Sequence, residues 1–196
     1  YNMLDEQAIR RRKNEPVDDI PKGEFLMVSV GSLIPRKGFE RLIHICGRLK
    51  SRGYRFHLLI LGKGELYEQL AEQVIDEHLL DSVQLLGFRD NPYPYMAAAD
   101  LYVCPSYVEG FSTVVSEAVV LETPVVTTDC SGMREILGDS EYGLITRNTE
   151  ESLFEGLRTM LDKPEVYQYY QQRVRERAPF FYMEERLKAY EEILDQ

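Results

Sequence analysis

Glu109 and Glu117 stand with seven residues between them, inside a stretch built to present charge at one end of a helix. Leu101 to Cys104 is a short apolar run stopped by Pro105, which reads as a buried strand. A loop ending in Glu109-Gly110-Phe111 follows. Ser112, with Thr113 as a second candidate, caps a helix that runs to about Glu122. Gly110 lets the backbone approach a ligand closely. The first helical turn, around Ser112, Thr113 and Val114, offers N–H groups with no intrahelical acceptor and the positive end of the helix dipole, which suits a phosphate. The helix is apolar around Glu117 on nearly every side, so it is mostly buried, and a carboxylate near its mouth needs a partner. The vicinal hydroxyls of a ribose would serve. Pro124 and Val125-Val126 open another strand, completing the strand–loop–helix–strand unit of parallel sheets.

Glu109 to Glu117 reads Glu-Gly-Phe-Ser-Thr-Val-Val-Ser-Glu. It follows Ala-Asp-Leu-Tyr-Val-Cys-Pro-Ser and precedes Pro-Val-Val-Thr-Thr-Asp-Cys-Ser-Gly-Met-Arg-Glu-Ile. In this setting it resembles the motif of the retaining nucleotide-sugar glycosyltransferases of the GT-B fold, the large fourth family called glycosyl transferases group 1. In that family the motif lies in the C-terminal, donor-binding domain. The resemblance covers essentially the whole chain. It implies that Glu109 and the Gly110-Phe111 backbone hold the donor sugar. Glu117 would take the ribose hydroxyls, and the helix start at Ser112, Thr113 and Val114 would meet the diphosphate.

A second candidate constellation lies after the strand Phe25 to Val30, in Gly31-Ser32-Leu33-Ile34-Pro35-Arg36-Lys37-Gly38. A glycine turn at the C-terminal edge of a strand is where doubly wound sheets bind ligands, and Arg36-Lys37 puts two cations there. In isolation the pair also reads as a solvated helix start. The family that the chain resembles has Gly-Arg-Leu at the head of this turn and Lys-Gly at its end. Lys37-Gly38 matches the second element, whereas Ser32 stands in place of the first arginine, and Arg36 is the candidate to supply that cation. Arg36, Lys37 and Glu109 are therefore the expected catalytic residues, and Gly31 and Ser32 belong to the expected donor site. Lys63, in the turn after the strand Phe56 to Leu61, reads equally as a phosphate contact or a surface residue. Phe88, after Val83 to Leu86 and Gly87, is by resemblance the nucleobase contact; its other reading is a core side chain.

The elements that must position these residues follow from periodicity. Phe39, Leu42, Ile43, Cys46 and Leu49 recur at helical spacing after the first strand, and Leu66, Leu70, Ala71 and Val74 after the second. Pro92 to Ala99 is expected as a short helix in which Tyr93, Tyr95 and Met96 pack. Val125 to Thr128 is a strand, Met133 to Leu137 a short helix with Arg134 and Glu135 as a local charge pair, and Tyr142 to Ile145 a last strand. From Asn148 on, the chain reads as helices. Leu153, Leu157, Met160 and Leu161 form one stripe, Val166, Tyr169 and Tyr170 begin another, and Met183, Leu187, Tyr190 and Leu194 make a final one. The fold class is α/β, a Rossmann-like doubly wound parallel sheet corresponding to the C-terminal half of a GT-B fold, with C-terminal helices. Residues 1–24 read as an interdomain linker with a short helix capped near Asp5, residues 25–147 as the nucleotide-sugar-binding core, and residues 148–196 as helices of the same domain.

Composition sets bounds. The 196 residues suit one domain, and 44% hydrophobic with 29% charged residues is ordinary for a globular chain. A net charge of −10 argues against general nucleic-acid or anionic-membrane binding, and it means that an anion must be met by locally focused positive charge. No apolar run approaches the ~20 residues of a membrane span, and no signal peptide is visible. The start at Tyr1 reads as a piece of a longer protein. Cys46, Cys104 and Cys130 lack Cys-x-x-Cys spacing and read as reduced thiols, two of them in apolar segments. His44, His57 and His78 form no pair with metal-ligand spacing, so no metal and no cofactor are expected.

The resemblance implies transfer of a sugar from a nucleotide-diphosphate donor, with UDP taken as the nucleotide. The acceptor would belong to an N-terminal domain that the chain lacks, so the chain alone is expected to be inactive. Location is expected to be cytoplasmic, peripheral to the inner membrane face through that domain. Two rivals stand beside this reading. One is an epimerase-type GT-B enzyme. The other is a noncatalytic nucleotide-binding module, for which the first strand lacks the clustered acids that a receiver would need.

Overall fold

A computed structural model describes residues 4–182. Among the described residues six strands are formed: β1 (Phe25–Val30), β2 (Phe56–Leu61), β3 (Val83–Gly87), β4 (Leu101–Cys104), β5 (Val125–Thr128) and β6 (Leu144–Thr146). The helices are α1 (Glu6–Arg12), α2 (Phe39–Ser51), α3 (Tyr67–Asp76), α4 (Tyr93–Ala98), α5 (Thr113–Val120), α6 (Met133–Leu137), α7 (Glu150–Asp162) and α8 (Pro164–Arg177). All strands are parallel, in the order β3-β2-β1-β4-β5-β6. This is a Rossmann-like doubly wound α/β sheet.

Helices cover both faces of the sheet, and this is why its strands are apolar on both sides. Leu26 and Val28 of β1 face a cluster that includes Met96, Val115, Ala118, Val119 and Ile136. Met27 faces the opposite cluster, with Leu42, Ile43, Leu70, Phe154 and Leu157. The order reverses at β1. The chain moves outward from β1 to β3, then returns to lay β4 on the other side of β1. The loops after β1 and β4 therefore diverge at a switch point and open a crevice at the C-terminal edge, where such sheets receive ligands. The Ser29 hydroxyl stitches the two central strands by donating to the Val103 carbonyl at 2.7 Å.

Several elements depart from the reading of the sequence. β6 begins at Leu144, because the N–H of Tyr142 is used by the Leu137 carbonyl at 2.9 Å in the turn that ends α6. α5 stops at Val120: Glu122 adopts φ 61° and the Thr123 N–H returns to the Ala118 carbonyl at 3.0 Å, a helix stop of the Schellman kind. Arg134 has further partners besides the expected Glu135 on α6. It bridges Asp129 at 2.8 Å and Asp139 at 2.6 Å, whose carboxylates flank α6. On α8 the buried residues are Tyr170 and Val174, whereas Tyr169 is exposed. α1 is capped as expected, with the Asp5 carboxylate accepting from Ala8 N at 2.8 Å. Yet α1 is no free linker: Ile9 is buried in the same cluster as α5. The expected helix with Met183, Leu187, Tyr190 and Leu194 lies outside the described residues.

Candidate functional site

Two loops carry the chemistry, and each is fixed by a different device. The loop after β1 tightens into a 3-10 turn at Pro35–Lys37 and leaves it through Gly38, whose φ is 68°. A Cβ on Gly38 would collide with the Pro105 carbonyl, so glycine is what allows the two loops to touch. The loop after β4 is held from beneath by Arg41, the third residue of α2, which is 3% exposed. Its Nε donates to the Pro105 carbonyl at 2.7 Å. Its Nη2 donates to the Ser106 carbonyl at 2.6 Å and to Asn148 Oδ1 at 2.9 Å. The guanidinium also lies 3.8 Å from the Tyr107 ring centroid, and burial lowers its pKa. Thr128 Oγ1 donates to the same Ser106 carbonyl at 2.5 Å, and Asn148 Nδ2 to the Tyr107 carbonyl at 2.7 Å.

This scaffold presents Glu109, which is 8% exposed. Its Oε1 accepts from Lys37 Nζ at 2.5 Å and from Ser106 Oγ at 2.6 Å, and Arg36 stands 4.0 Å from Oε2. The backbone repeats the link, since the Tyr107 N–H donates to the Arg36 carbonyl at 2.8 Å. Lys37 and Glu109, expected from separate motifs, are thus one ion pair spanning the switch point. Ser112 caps α5 by accepting from the Val115 N–H at 3.3 Å. A Cβ at Gly110 would meet nothing within 4 Å, so no protein neighbour requires glycine there; the space beside it is open.

Beside this recess lies a cavity of about 300 Å³, lined among others by Gly31, Ser32, Lys63, Phe88, Val114 and Glu117. Phe88 is 60% exposed and not a core residue; Lys63 Nζ lies 4.7 Å from its ring centroid. Glu117 Oε1 accepts from the Tyr93 hydroxyl at 3.0 Å. Burial raises the Glu117 pKa, and the Tyr93 hydrogen bond partly offsets it. Tyr93 is itself pushed up to about 12, by burial first and by the Glu117 charge second. Val114, at the first turn of α5, lines both the cavity and the recess of Lys37, Glu109 and Ser112.

The fold therefore gathers Gly31, Ser32, Phe88, Val114 and Glu117 on one side of that turn, and Lys37, Glu109 and Ser112 on the other. Arg36, Gly110, Phe111 and Thr113 line neither, and the Arg36 side chain is 53% exposed. Reading the sequence missed Arg41, Ser106 and Tyr93. Arg41 left one signal: an arginine set among the buried residues of an apolar helix face. Among the described residues no three His, Cys, Asp or Glu side chains are grouped to hold a metal, and no helix is long and apolar enough to cross a membrane.

The sequence pattern of the family described as glycosyl transferases group 1 matches residues 10–177. The chain belongs to this family. One relative is the N-acetylgalactosamine-N,N'-diacetylbacillosaminyl-diphospho-undecaprenol 4-alpha-N-acetylgalactosaminyltransferase of Campylobacter jejuni. It is 37% identical over 183 residues, which are 92% of this chain and 48% of that protein. The chain spans less than half the length of the curated relatives it matches. Among solved structures, the lipopolysaccharide-biosynthesis glycosyltransferase WaaG superposes with a TM-score of 0.74 at 26% identity, over 89% of this chain and 47% of that one. A Staphylococcus aureus TarM mutant in complex with fondaparinux, alpha-GlcNAc-glycerol and UDP gives 0.75 at 20% identity, over 92% and 38%. The GT-B glycosyltransferase fold and family expected from the Glu109–Glu117 motif are those found.

Proposed function

We propose that this chain is the donor-binding domain of a retaining glycosyltransferase, and that its donor is a UDP-sugar. The observation that carries the reading is the continuity of the two recesses at Val114. A cavity with an exposed aromatic and a partly buried carboxylate leads past a helix N-terminus to a partly buried Lys37–Glu109 pair. That sequence of groups matches, in order, a base, a ribose, a diphosphate and a sugar. The UDP in the TarM complex supports the choice of nucleotide. The lipid-linked acceptor in the name of the Campylobacter relative agrees with a glycan-building role.

In this reading the base lies against Phe88, and the ribose hydroxyls donate to the Glu117 carboxylate. Tyr93 fixes one oxygen of that carboxylate and leaves the other for the ribose. Charge-assisted hydrogen bonds of this kind contribute about 1.5–3 kcal/mol each. The diphosphate meets Arg36, Lys37 and the N–H groups of Thr113 and Val114, while Glu109 and the Gly110-Phe111 backbone hold the sugar. Cleavage of the glycosidic bond builds negative charge on the departing diphosphate. Cations and amides already in place lower the barrier insofar as they bind that charge more tightly than the intact donor. The reading assigns no metal to this step and puts the acceptor site on a domain outside this chain, so that alone the chain binds donor weakly and transfers nothing.

The test is an NMR titration of the chain with UDP, GDP and ADP, repeated with Glu117→Ala. The expected result is that UDP shifts amides at Phe88, Gly110 and Thr113 and that the variant loses the response. Absence of binding by all three nucleotides, to this chain and to the longer protein alike, would sink the reading. Sugar transfer by the isolated chain would refute its inactivity.

A further inference from the structure

One wall of the 300 Å³ cavity is the stretch that follows β3, with Phe88, Arg89, Asp90 and Pro92. The sheet lets go of this stretch early. Gly87 is the last residue bonded to β2, its carbonyl accepting from Gly62 N at 2.9 Å, and its φ of 69° turns the chain away. What holds the wall instead is residues 12–19. Arg12 Nη2 donates to the Asp90 carboxylate at 2.8 Å and to the Asp90 carbonyl at 3.2 Å. Asn91 Nδ2 donates to the Arg12 carbonyl at 2.9 Å and to Glu15 Oε2 at 2.7 Å. Asp19 takes Arg89 on one oxygen at 2.9 Å and the Tyr95 hydroxyl on the other at 2.7 Å. The Arg12 guanidinium also lies 5.7 Å from the ring centroid of Tyr93, the residue that orients Glu117.

We infer that Arg12 and Asp19 are positioning residues of the donor site: they set the Phe88–Pro92 wall, and through it the choice of nucleobase, without touching the nucleotide. The inference rests on the donor-domain reading. In the Arg12–Asp90 pair the carboxylate is 91% exposed, and in the Arg89–Asp19 pair both side chains are more than a third exposed, so each adds little to global stability. Their effect falls where small energies decide. Phe88 is exposed and the wall begins only after Gly87 ends β3, so the sheet does not fix it, and a network that uses both Asp19 oxygens selects one position among several. Any change in residues 12–19 then reaches the base wall directly.

The experiment measures the affinity of the 196-residue chain for UDP, GDP and ADP by calorimetry, with melting temperatures recorded alongside. The variants are Asp19→Asn, Arg12→Gln and Arg12→Lys. Arg158→Gln, which removes an ion pair within α7, is the control. The preferred nucleotide should bind about three- to tenfold more weakly to Asp19→Asn and Arg12→Gln, and its margin over the other two should narrow by a similar factor. Arg12→Lys should recover part of the loss, the control should match wild type, and melting temperatures should move little. Variants that keep the wild-type margin, or that weaken all three nucleotides equally, overturn the inference, as does a wild-type chain that binds the three alike. Failure of the wild type to bind any of them is a failure of the donor-domain reading itself, and the inference falls with it.

Discussion

Replacing Arg41 by Met should loosen the loop that carries Glu109 and leave the sheet intact. The side chain is 3% exposed and donates to oxygens of Pro105, Ser106 and Asn148, none of them charged. The Ser106 carbonyl keeps Thr128 Oγ1 at 2.5 Å and Cys130 Sγ at 3.2 Å, so the loss concentrates on the Pro105 carbonyl and Asn148 Oδ1. Leaving each of these unpaired costs about 1–3 kcal/mol. Methionine also removes a cation whose burial is itself unfavourable, as its lowered pKa reports, and this returns part of the cost. The net destabilisation should be about 2–3 kcal/mol. The chain has no Trp, so urea unfolding is best followed by circular dichroism, with amide spectra of Tyr107 to Gly110 to locate the change. Arg41→Lys keeps the charge and loses the planar fork, so it should recover less than half of the loss. A stability change under about 0.5 kcal/mol for Arg41→Met, the range of an ordinary surface substitution, would refute the claim that this side chain supports the loop.

Three further outcomes are expected. Gly38→Ala meets both a left-handed φ and the Pro105 carbonyl, and should lower stability by about 2 kcal/mol or more, read as a fall in melting temperature. Lys37→Met strands a nearly buried Glu109 carboxylate and should cost about 3 kcal/mol; adding Glu109→Gln should restore most of the stability without restoring nucleotide binding. Burial holds the Glu117 pKa above its ordinary 4.5, so the native state keeps this proton longer than the unfolded chain, and stability falls as pH rises through that window. Glu117→Gln should therefore melt higher than wild type at about pH 7 and lose the advantage below about pH 4, where both forms are neutral.

The sheet was legible because each central strand is an apolar run bounded by glycine or proline, and β1, β2, β4 and β5 fall on the residues read for them. Strand ends were less legible, since they depend on which turn claims an N–H, as Tyr142 shows. The motif residues were legible by type, but not the Lys37–Glu109 pair, which joins residues 72 positions apart. Arg41 shows why polar supports escape such a reading: its acceptors lie 64, 65 and 107 positions away, and carbonyls leave no mark in a sequence. Residues 1–24, read as a linker with one short helix, hide their contacts for a related reason. Their charges and prolines look like those of a solvated connector, and only the fold brings Arg89, Asp90, Asn91 and Tyr95 opposite them.

The Lys37–Glu109 pair bears on how an acidic protein manages a dianionic donor. With a net charge of −10, long-range attraction is unfavourable, and the cation nearest the proposed diphosphate is already engaged by a carboxylate. On the proposed reading, an intact donor must share Lys37 with Glu109, so ground-state binding is weak. As the glycosidic bond breaks, the departing diphosphate gains charge and competes better for the same ammonium. The stabilisation is therefore larger in the transition state than in the bound ground state, which is the condition for a rate gain. Lys37 need not be reordered to respond, because Glu109, itself held by the Ser106 hydroxyl, already fixes it beside the mouth of α5, and preorganisation of that kind is where electrostatic catalysis gains most. A lysine left free in solvent would bind the donor more tightly and accelerate its cleavage less.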